Sequence, residues 1–285
     1  MQLTVIISTY NSPDWLEKVL WGYAVQTHRD FELVIADDGS GDETRHRIDS
    51  MRQETKLPIR HVWHPDDGFQ KSAILNKAIV AARSGYLVFS DGDCIPRRDF
   101  LGVHAARAEK GRFLSGGYTK LGLEASRAVG KQHMESGEAF EPRWLAAHGL
   151  AARAFSKHAA AGRRAPLYNF LTPTTPSWNG HNASGWKSDL LRVNGFDERM
   201  QYGGQDRELG ERLQNAGIRG KQIRYLAICL HLDHGRSYAT EESVAKNRGI
   251  RDETRQERRI WTHCGIEKGG SPREPAAELF GPATE

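Results

Sequence analysis

The sequence contains no apolar run long enough to cross a bilayer. Its longest, such as residues 3–7 and 225–230, fall far short of the roughly 18 residues a membrane helix needs. Cysteine is scarce. Cys94, Cys229 and Cys264 are odd in number and far apart, which excludes a disulfide framework and a zinc knuckle and fits a reducing cytoplasm. Met1-Gln2-Leu3-Thr4 has neither a positive n-region nor a small-residue cleavage site, so no secretory signal is expected. Residues 142–188 lack Asp and Glu altogether, yet carry Arg143, Arg153, Lys157, Arg163, Arg164 and Lys187. The whole chain is only +4, so the remainder is net negative. Nucleic acid is not an expected partner: the basic stretch lacks the interleaved aromatics on which single strands stack.

What is present is a globular composition. The 285 residues are 38% apolar and 27% charged, enough for one or two domains with a sizeable core. The first third alternates strand and helix. Leu3–Thr9 is a β-rich run, and Ser12-Pro13 reads as an N-cap with Pro at the first helical position. Leu16, Val19, Leu20 and Tyr23 follow at helical spacing. Strands are predicted at 31–36, 59–63 and 86–90, and helices at 42–52 and 71–83. Strands separated by helices imply a mostly parallel α/β sheet covered on both sides. Ligands of such sheets bind beyond the carboxyl ends of the strands. Further on, a helix is predicted at 206–216 with Gly217 as its stop, a strand at 223–232 and a charged helix at 241–261. The chain past Gly269 is expected to fray.

Polar residues gather at those strand ends. Asp37-Asp38-Gly39-Ser40 could bind a base or ribose through charge-assisted bonds, or simply form a helix-capping turn. Asp91-Gly92-Asp93 brings two carboxylates onto a tight turn, where they could converge on a hard cation whose shell is completed by phosphates; an ordinary Asp-Gly turn has the same letters. In Gly203-Gly204-Gln205-Asp206 the glycines permit close approach of a ligand, and Asp206 lies at a helix N-terminus, where an anion is favoured. His231 and His234, three apart at a strand end, could both ligate a metal as neutral imidazoles.

Together these residues resemble an inverting family-two glycosyltransferase of the GT-A fold. The matching pieces are Ile7-Ser8-Thr9-Tyr10-Asn11, Gln26-Thr27, residues 34–40, residues 68–79 with Asn76, and Asp91-Gly92-Asp93. The second half, with residues 178–183, 193–198 and Gly203-Gly204-Gln205-Asp206, is similar to β-1,4-galactosyltransferases and bacterial chondroitin-type polymerases. The resemblance covers about 1–122 and 178–236. It implies a single GT-A, Rossmann-like catalytic domain over 1–240: a nucleotide-sugar half (1–118), a basic helical insertion on the acceptor side (119–177) and an acceptor half (178–240), with 241–285 as charged helix and tail.

The resemblance also implies roles. Thr9, Tyr10, Asn11, Asp38, Asn76 and Asp91 would bind the nucleotide sugar, with Asp38 on uracil and Asp91 on ribose or metal. Asp93, His231 and His234 would hold Mn²⁺ or Mg²⁺, and Asp206 would be the catalytic base. Trp178, Asn179, Gly180, Gly203, Gly204 and Gln205 would face the acceptor or the donor sugar. The family usually has Glu-Asp where this chain has Gln205-Asp206, which bears on sugar choice. The implied reaction transfers a hexose or N-acetylhexosamine from a UDP-sugar to a saccharide or lipid-linked acceptor in surface polysaccharide synthesis, in the cytoplasm. The rivals are a non-catalytic nucleotide- or carbohydrate-binding module and a sugar-nucleotide pyrophosphorylase; the latter should carry a glycine-rich phosphate loop, absent from Thr9-Tyr10-Asn11-Ser12-Pro13. A helix over 143–161 would place Trp144, Ala147, Ala151, Phe155 and Ala159 on one face flanked by basic residues, a pattern suited either to core packing or to the inner membrane surface.

Overall fold

A computed structural model describes residues 1–151, 165–171, 174–235 and 240–269. The four predicted N-terminal strands are β1 (Leu3–Thr9), β2 (Phe31–Asp37), β3 (Ile59–Trp63) and β4 (Tyr86–Asp91). They lie parallel in the order β3-β2-β1-β4. Every residue of β1 and β2 is buried, which is why both read as continuous apolar runs rather than alternating ones. Between them run α1 (Pro13–Ala24), α2 (Asp42–Thr55) and α3 (Lys71–Ala81). Leu3, Val5 and Ile7 point into one core layer with α1 and α2. Ile6, Val34 and Ala36 point into the other with α3. Ser12 stands just before α1 as expected but does not cap it; its hydroxyl donates to the Tyr10 carbonyl at 3.1 Å.

The chain continues through β5 (Cys94–Pro96), α4 (Phe100–Arg107), β6 (Arg112–Ser115), β7 (Gly117–Lys120), α5 (Leu123–Ala128), α6 (Lys131–Ser136), α7 (Pro142–Ala147) and α8 (Ala165–Leu171). Then come β8 (Ala183–Trp186), α9 (Lys187–Arg192), α10 (Gln205–Asn215), β9 (Arg219–Gln222), β10 (Ile228–His231) and α11 (Glu241–Gln256). The large sheet has seven strands, β3-β2-β1-β4-β8-β6-β9, and β8 runs antiparallel to both its neighbours. A second sheet, β5-β10-β7, has three. The expected 223–232 strand is shorter, since 223–227 turns through the Leu226 and Ala227 N–H bonds to the Ile223 carbonyl before β10 begins.

The expected 143–161 helix does not run in one piece. It stops at Ala147, and Gly149 follows at φ +83°. Trp144 is buried in the core with its ring stacked on His148, so it does not belong to a surface-facing apolar stripe. Phe155, Arg153, Lys157, Arg163 and Arg164 lie outside the described residues. Among the described residues no helix is long and apolar enough to cross a membrane.

α10 carries a fully buried ion pair. Arg212 Nε and Nη2 donate to the Glu208 carboxylate at 2.7 and 2.6 Å, Arg212 also reaches the Val193 carbonyl, and the Thr254 hydroxyl donates to Glu208 from α11. Glu208 is thereby committed to structure and is not available as a base. Arg212→Leu should destabilise the fold by about 3–5 kcal/mol, because it strands a buried carboxylate. Urea unfolding checks this; a loss under 1 kcal/mol would mean that Glu208 is not held as a charge.

Candidate active site

The strand ends converge. At β2, Asp37 organises its own turn, accepting the Ser40 N–H at 2.8 Å and facing His61 Nε2 at 2.8 Å. Asp38 accepts the Gln70 N–H at 3.0 Å and His64 Nε2–H at 2.8 Å, while Lys77 Nζ donates to His64 Nδ1 at 3.1 Å. Burial raises the Asp38 carboxyl above its ordinary value, with His64 and the Gln70 N–H opposing. Nearby, the Thr9 hydroxyl is buried and has no partner among the described residues. Tyr10 is exposed and donates to Asp66 at 2.8 Å. Asn11 braces the neighbouring turn: its side-chain Oδ1 accepts the Gly41 N–H, and its backbone N–H donates to the Ser40 hydroxyl.

Asp91 ends β4. Its Oδ1 accepts both the Ser8 hydroxyl and Lys71 Nζ, each at 2.7 Å. Although burial works to raise it, the Lys71 charge and these two bonds hold the Asp91 carboxyl well below the usual range. Gly92 permits the turn that follows. A Cβ there would lie 3.0 Å from the Ser8 carbonyl and 3.1 Å from the Thr9 hydroxyl.

Asp93 then meets the two histidines. His234 Nε2 lies 2.9 Å from Asp93 Oδ2, and His231 Nε2 lies 3.9 Å from Oδ1. Each Nδ1 is 2.8 Å from a backbone carbonyl, Leu232 for His231 and Gly235 for His234. A carbonyl only accepts, so both Nδ1 atoms carry hydrogen, and in the neutral rings Nε2 is the bare nitrogen. Both bare nitrogens therefore face a carboxylate, an arrangement resolved by a proton or by a cation between them. One carboxylate and two inward imidazoles fit a divalent ion such as Mn²⁺. Ligand atoms of Asp93, Cys94 and His231 all lie within 4.8 Å of one another. The Cys94 thiol is the weakest of these donors. Burial, Cys229 and Asp93 push it well up, and it donates to Asp93 Oδ1 at 3.2 Å instead. The intervening Asp233 is clamped from three sides: its N–H to the Ser126 hydroxyl, its carbonyl from Trp15 Nε1 and its carboxylate to Lys120.

Asp206 enters from the second half, on the first turn of α10 behind Gly203 (φ +105°) and Gly204 (φ +89°). Such backbone angles favour glycine. The Gln205 side chain folds back to accept the Gly203 N–H at 3.0 Å, which tightens the turn. Asn247 of α11 holds the same loop through the carbonyls of Gln201, Tyr202 and Gly203. Asp206 Oδ1 is shut off from solvent and has no partner among the described residues. Burial and the Asp91 charge push the Asp206 carboxyl up to about 6, against the pull of Lys71 and the Gly180 N–H. Gly180 lies hard against it, since a Cβ there would sit 2.8 Å from Oδ1. Gly180→Ala should therefore displace the carboxylate and lower turnover by about 10²-fold, the scale of an ångström's misplacement, with nucleotide affinity unchanged. Steady-state kinetics beside calorimetry checks it; an unaltered rate would mean that Asp206 tolerates the shift.

Two expected contacts are corrected. Trp178 is 1% exposed and packs among Phe89 and Phe113, inside the core rather than on a ligand surface. Asn76 is 2% exposed, and its amide is committed to both backbone groups of Phe196 and to Glu198. It pins α3 to the 196–198 segment instead of facing a nucleotide. Asn179, beside Trp178, donates to the Ser115 hydroxyl at 3.2 Å while its buried Oδ1 has no partner among the described residues. Three residues escaped the sequence reading: Lys71, His64 and His181. His181 is half-buried beside Tyr118 and His231, and desolvation there lowers its imidazole to about 4. Lys71 did leave a signal, being a cation at the start of a predicted helix, where the dipole disfavours it.

Residues 4–170 match the family described as glycosyl transferase family 2. The chain belongs to that family. The match favours the transferase reading over the non-catalytic binding module and the pyrophosphorylase. Among its relatives, validoxylamine A glucosyltransferase of Streptomyces hygroscopicus subsp. jinggangensis is 30% identical over 226 residues, covering 76% of this chain and 52% of that one. Chondroitin synthase of Escherichia coli is 24% identical over 264 residues, covering 86% and 37%. This family-two chain spans about half or less of the length of the first such relatives. The GT-A fold is shared with a mannosyltransferase of Pyrobaculum calidifontis solved with GDP-Man and Mn²⁺ (TM-score 0.57, 21% identity, 83% of this chain and 58% of that one). It is shared as well with S. aureus TarS 1-349 solved with UDP-GlcNAc (TM-score 0.56, 16% identity, 84% and 60%).

Proposed function

We propose that this glycosyltransferase moves a hexose or N-acetylhexosamine, with inversion, from a UDP-sugar to a hydroxyl of a saccharide or lipid-linked acceptor, using a bound divalent cation. The observation that carries this reading is the pairing of two unlike carboxylate sites. Asp93 faces two imidazoles, while Asp206 stands apart with a shielded, unpartnered oxygen and a carboxyl near 6. Two carboxylates in surroundings this different can take different roles. A cation held by Asp93, His231 and His234 would neutralise charge building on the departing diphosphate. Asp38 and the free Thr9 hydroxyl supply an acceptor and a donor to the nucleoside, and Asp91 an acceptor to its ribose. Asp206 takes the proton from the attacking hydroxyl. A base rather than a nucleophile at that position means one displacement, hence inversion.

The UDP assignment draws on TarS, solved with UDP-GlcNAc, while the mannosyltransferase with GDP-Man marks the competing nucleotide. Polysaccharide synthesis draws on the chondroitin synthase likeness. A panel of UDP- and GDP-sugars with Mn²⁺, scored for released nucleotide and for calorimetric binding, tests the reading. Turnover confined to UDP-sugars is expected. Exclusive use of a GDP-sugar would replace the donor assignment, and binding of neither nucleotide would sink the proposal.

A further inference from the structure

Tyr118 is 41% exposed, although it stands where the two halves of the site meet. Its ring lies 4.7 Å from that of His181, nearly perpendicular at 78°, and 5.7 Å from that of His231. His231 faces Asp93 in the candidate cation site. His181 follows Gly180, which packs against the Asp206 carboxylate. Tyr118 therefore borders the cation side and the base side at once. The ring is also held firmly from beneath. Along β7, exposed Tyr118 and Lys120 alternate with buried Gly117 and Thr119, and the strand pairs in parallel with β10. Asn182 Nδ2 donates to the Gly117 carbonyl at 2.8 Å and to the Ala227 carbonyl at 3.0 Å, so one side chain fastens β7 to the lead-in of β10. Asn182 Oδ1 in turn accepts His104 Nε2–H at 3.0 Å, and His104 Nδ1 accepts the Ser184 hydroxyl at 2.7 Å. Glycines allow this closeness: a Cβ at Gly116 would collide with the Asn182 side chain, and one at Gly117 with the Arg224 carbonyl.

We propose that Tyr118 is the platform on which the acceptor's pyranose ring stacks, and so a specificity-determining residue of the transfer. This rests on the glycosyl-transfer reading above. A pyranose carries hydroxyls around its edge and C–H groups across its faces. The negative face of an aromatic ring attracts such hydrogens, and a tyrosine fixed in advance offers its area at little cost in freedom. The donor sugar hangs from the diphosphate, between the cation and a base whose Oδ1 is shut off from solvent. The acceptor arrives from solvent, so its ring needs a surface that is open and beside the base. Tyr118 meets both conditions.

The probes are methyl β-D-glucopyranoside and methyl N-acetyl-β-D-glucosaminide, with sorbitol as a control that has hydroxyls but no ring face. The full chain is studied with Mn²⁺, with and without UDP. Saturating its aromatic protons should pass magnetisation, read by NMR, to the axial hydrogens of one pyranose face and to none of sorbitol. Tyr118→Ala and Tyr118→Leu, selected for folding by thermal unfolding, should abolish that transfer and weaken glycoside binding by about 10-fold. Tyr118→Phe and Tyr118→Trp should keep both, because the ring face and not the hydroxyl makes the contact. UDP-sugar affinity, read by calorimetry, should stay unchanged in all four. Glycoside binding that survives in either folded aliphatic variant overturns the proposal, and so does a wild type that binds neither glycoside. An equal loss of UDP-sugar affinity would put the ring on the donor sugar and overturn the acceptor assignment. Failure of the wild type to bind UDP would strike the donor reading instead, with the glycoside measurements still deciding the role of Tyr118.

Discussion

Asp206→Asn is expected to slow transfer by roughly 10²–10⁴-fold, the usual scale for losing a general base, with UDP affinity nearly unchanged. The substitution keeps shape and removes the proton acceptor, whose Oδ1 is shielded and unpartnered among the described residues. In the wild type the rate should fall as pH drops through about 6, where the carboxyl takes up its proton, and the variant should lose that limb. Stability should move the other way. An acid whose folded value lies above its unfolded one binds its proton more tightly when folded, so this group favours the fold increasingly as pH falls from about 6 towards the unfolded range near 4. Above that window the buried charge is a burden that Asn lacks. Asp206→Asn should therefore unfold at higher temperature than wild type at pH 8, with the difference closing near pH 4. If nucleotide binding collapsed instead of turnover, Asp206 would be a structural or metal-binding group.

Removing the cation should abolish both binding and turnover. EDTA is expected to eliminate activity, and Mn²⁺ should restore it better than Ca²⁺, because imidazole donors suit a transition metal and Ca²⁺ prefers oxygen. Asp93→Asn and His234→Ala should each weaken UDP-sugar binding as well as turnover, since the cation would bridge protein and diphosphate. The two substitutions should look alike, as His234 Nε2 and Asp93 Oδ2 face one another at 2.9 Å. Nucleoside affinity, measured with uridine, should survive in both. Full activity in EDTA would be incompatible with this assignment.

Much of the large sheet was legible because β1, β2 and β4 are apolar runs closed by polar strand ends, and the same punctuation singled out Asp38, Asp91 and Asp93 as candidates, as the glycine pair before its helix did Asp206. What could not be read depends on contacts between distant segments. β10 (Ile228–His231) registered only inside the longer 223–232 run, whereas β5 (Cys94–Pro96) and β7 (Gly117–Lys120) are too short for either period to show, so their pairing into a second sheet was not foreseen. β8 is Ala-Ser-Gly-Trp, poor strand chemistry that survives because Gly185 lets Trp178 pack against it. Trp178 and Asn76 were misplaced for a shared reason: neighbours of a ligand motif were read as ligand contacts, whereas these two build the scaffold beneath it. Arg143 to Ala161 looked continuous because helical spacing on a wheel does not detect Gly149, whose positive φ ends the run.

The pairing of β5 with β10 sets Cys94 opposite His231, and this register is what brings Asp93 within reach of both imidazoles. Slipping it by one residue would turn His231 to the opposite face. Early and late segments of the chain must both be in place before the three side chains meet, so a nascent or half-assembled chain presents no such triad. A cation taken up there recognises only the finished fold, and by mass action it draws the population towards that state in proportion to the logarithm of its concentration. In cells short of the metal, the enzyme would then lose abundance as well as rate, because the unfolded fraction exposed to proteolysis would rise.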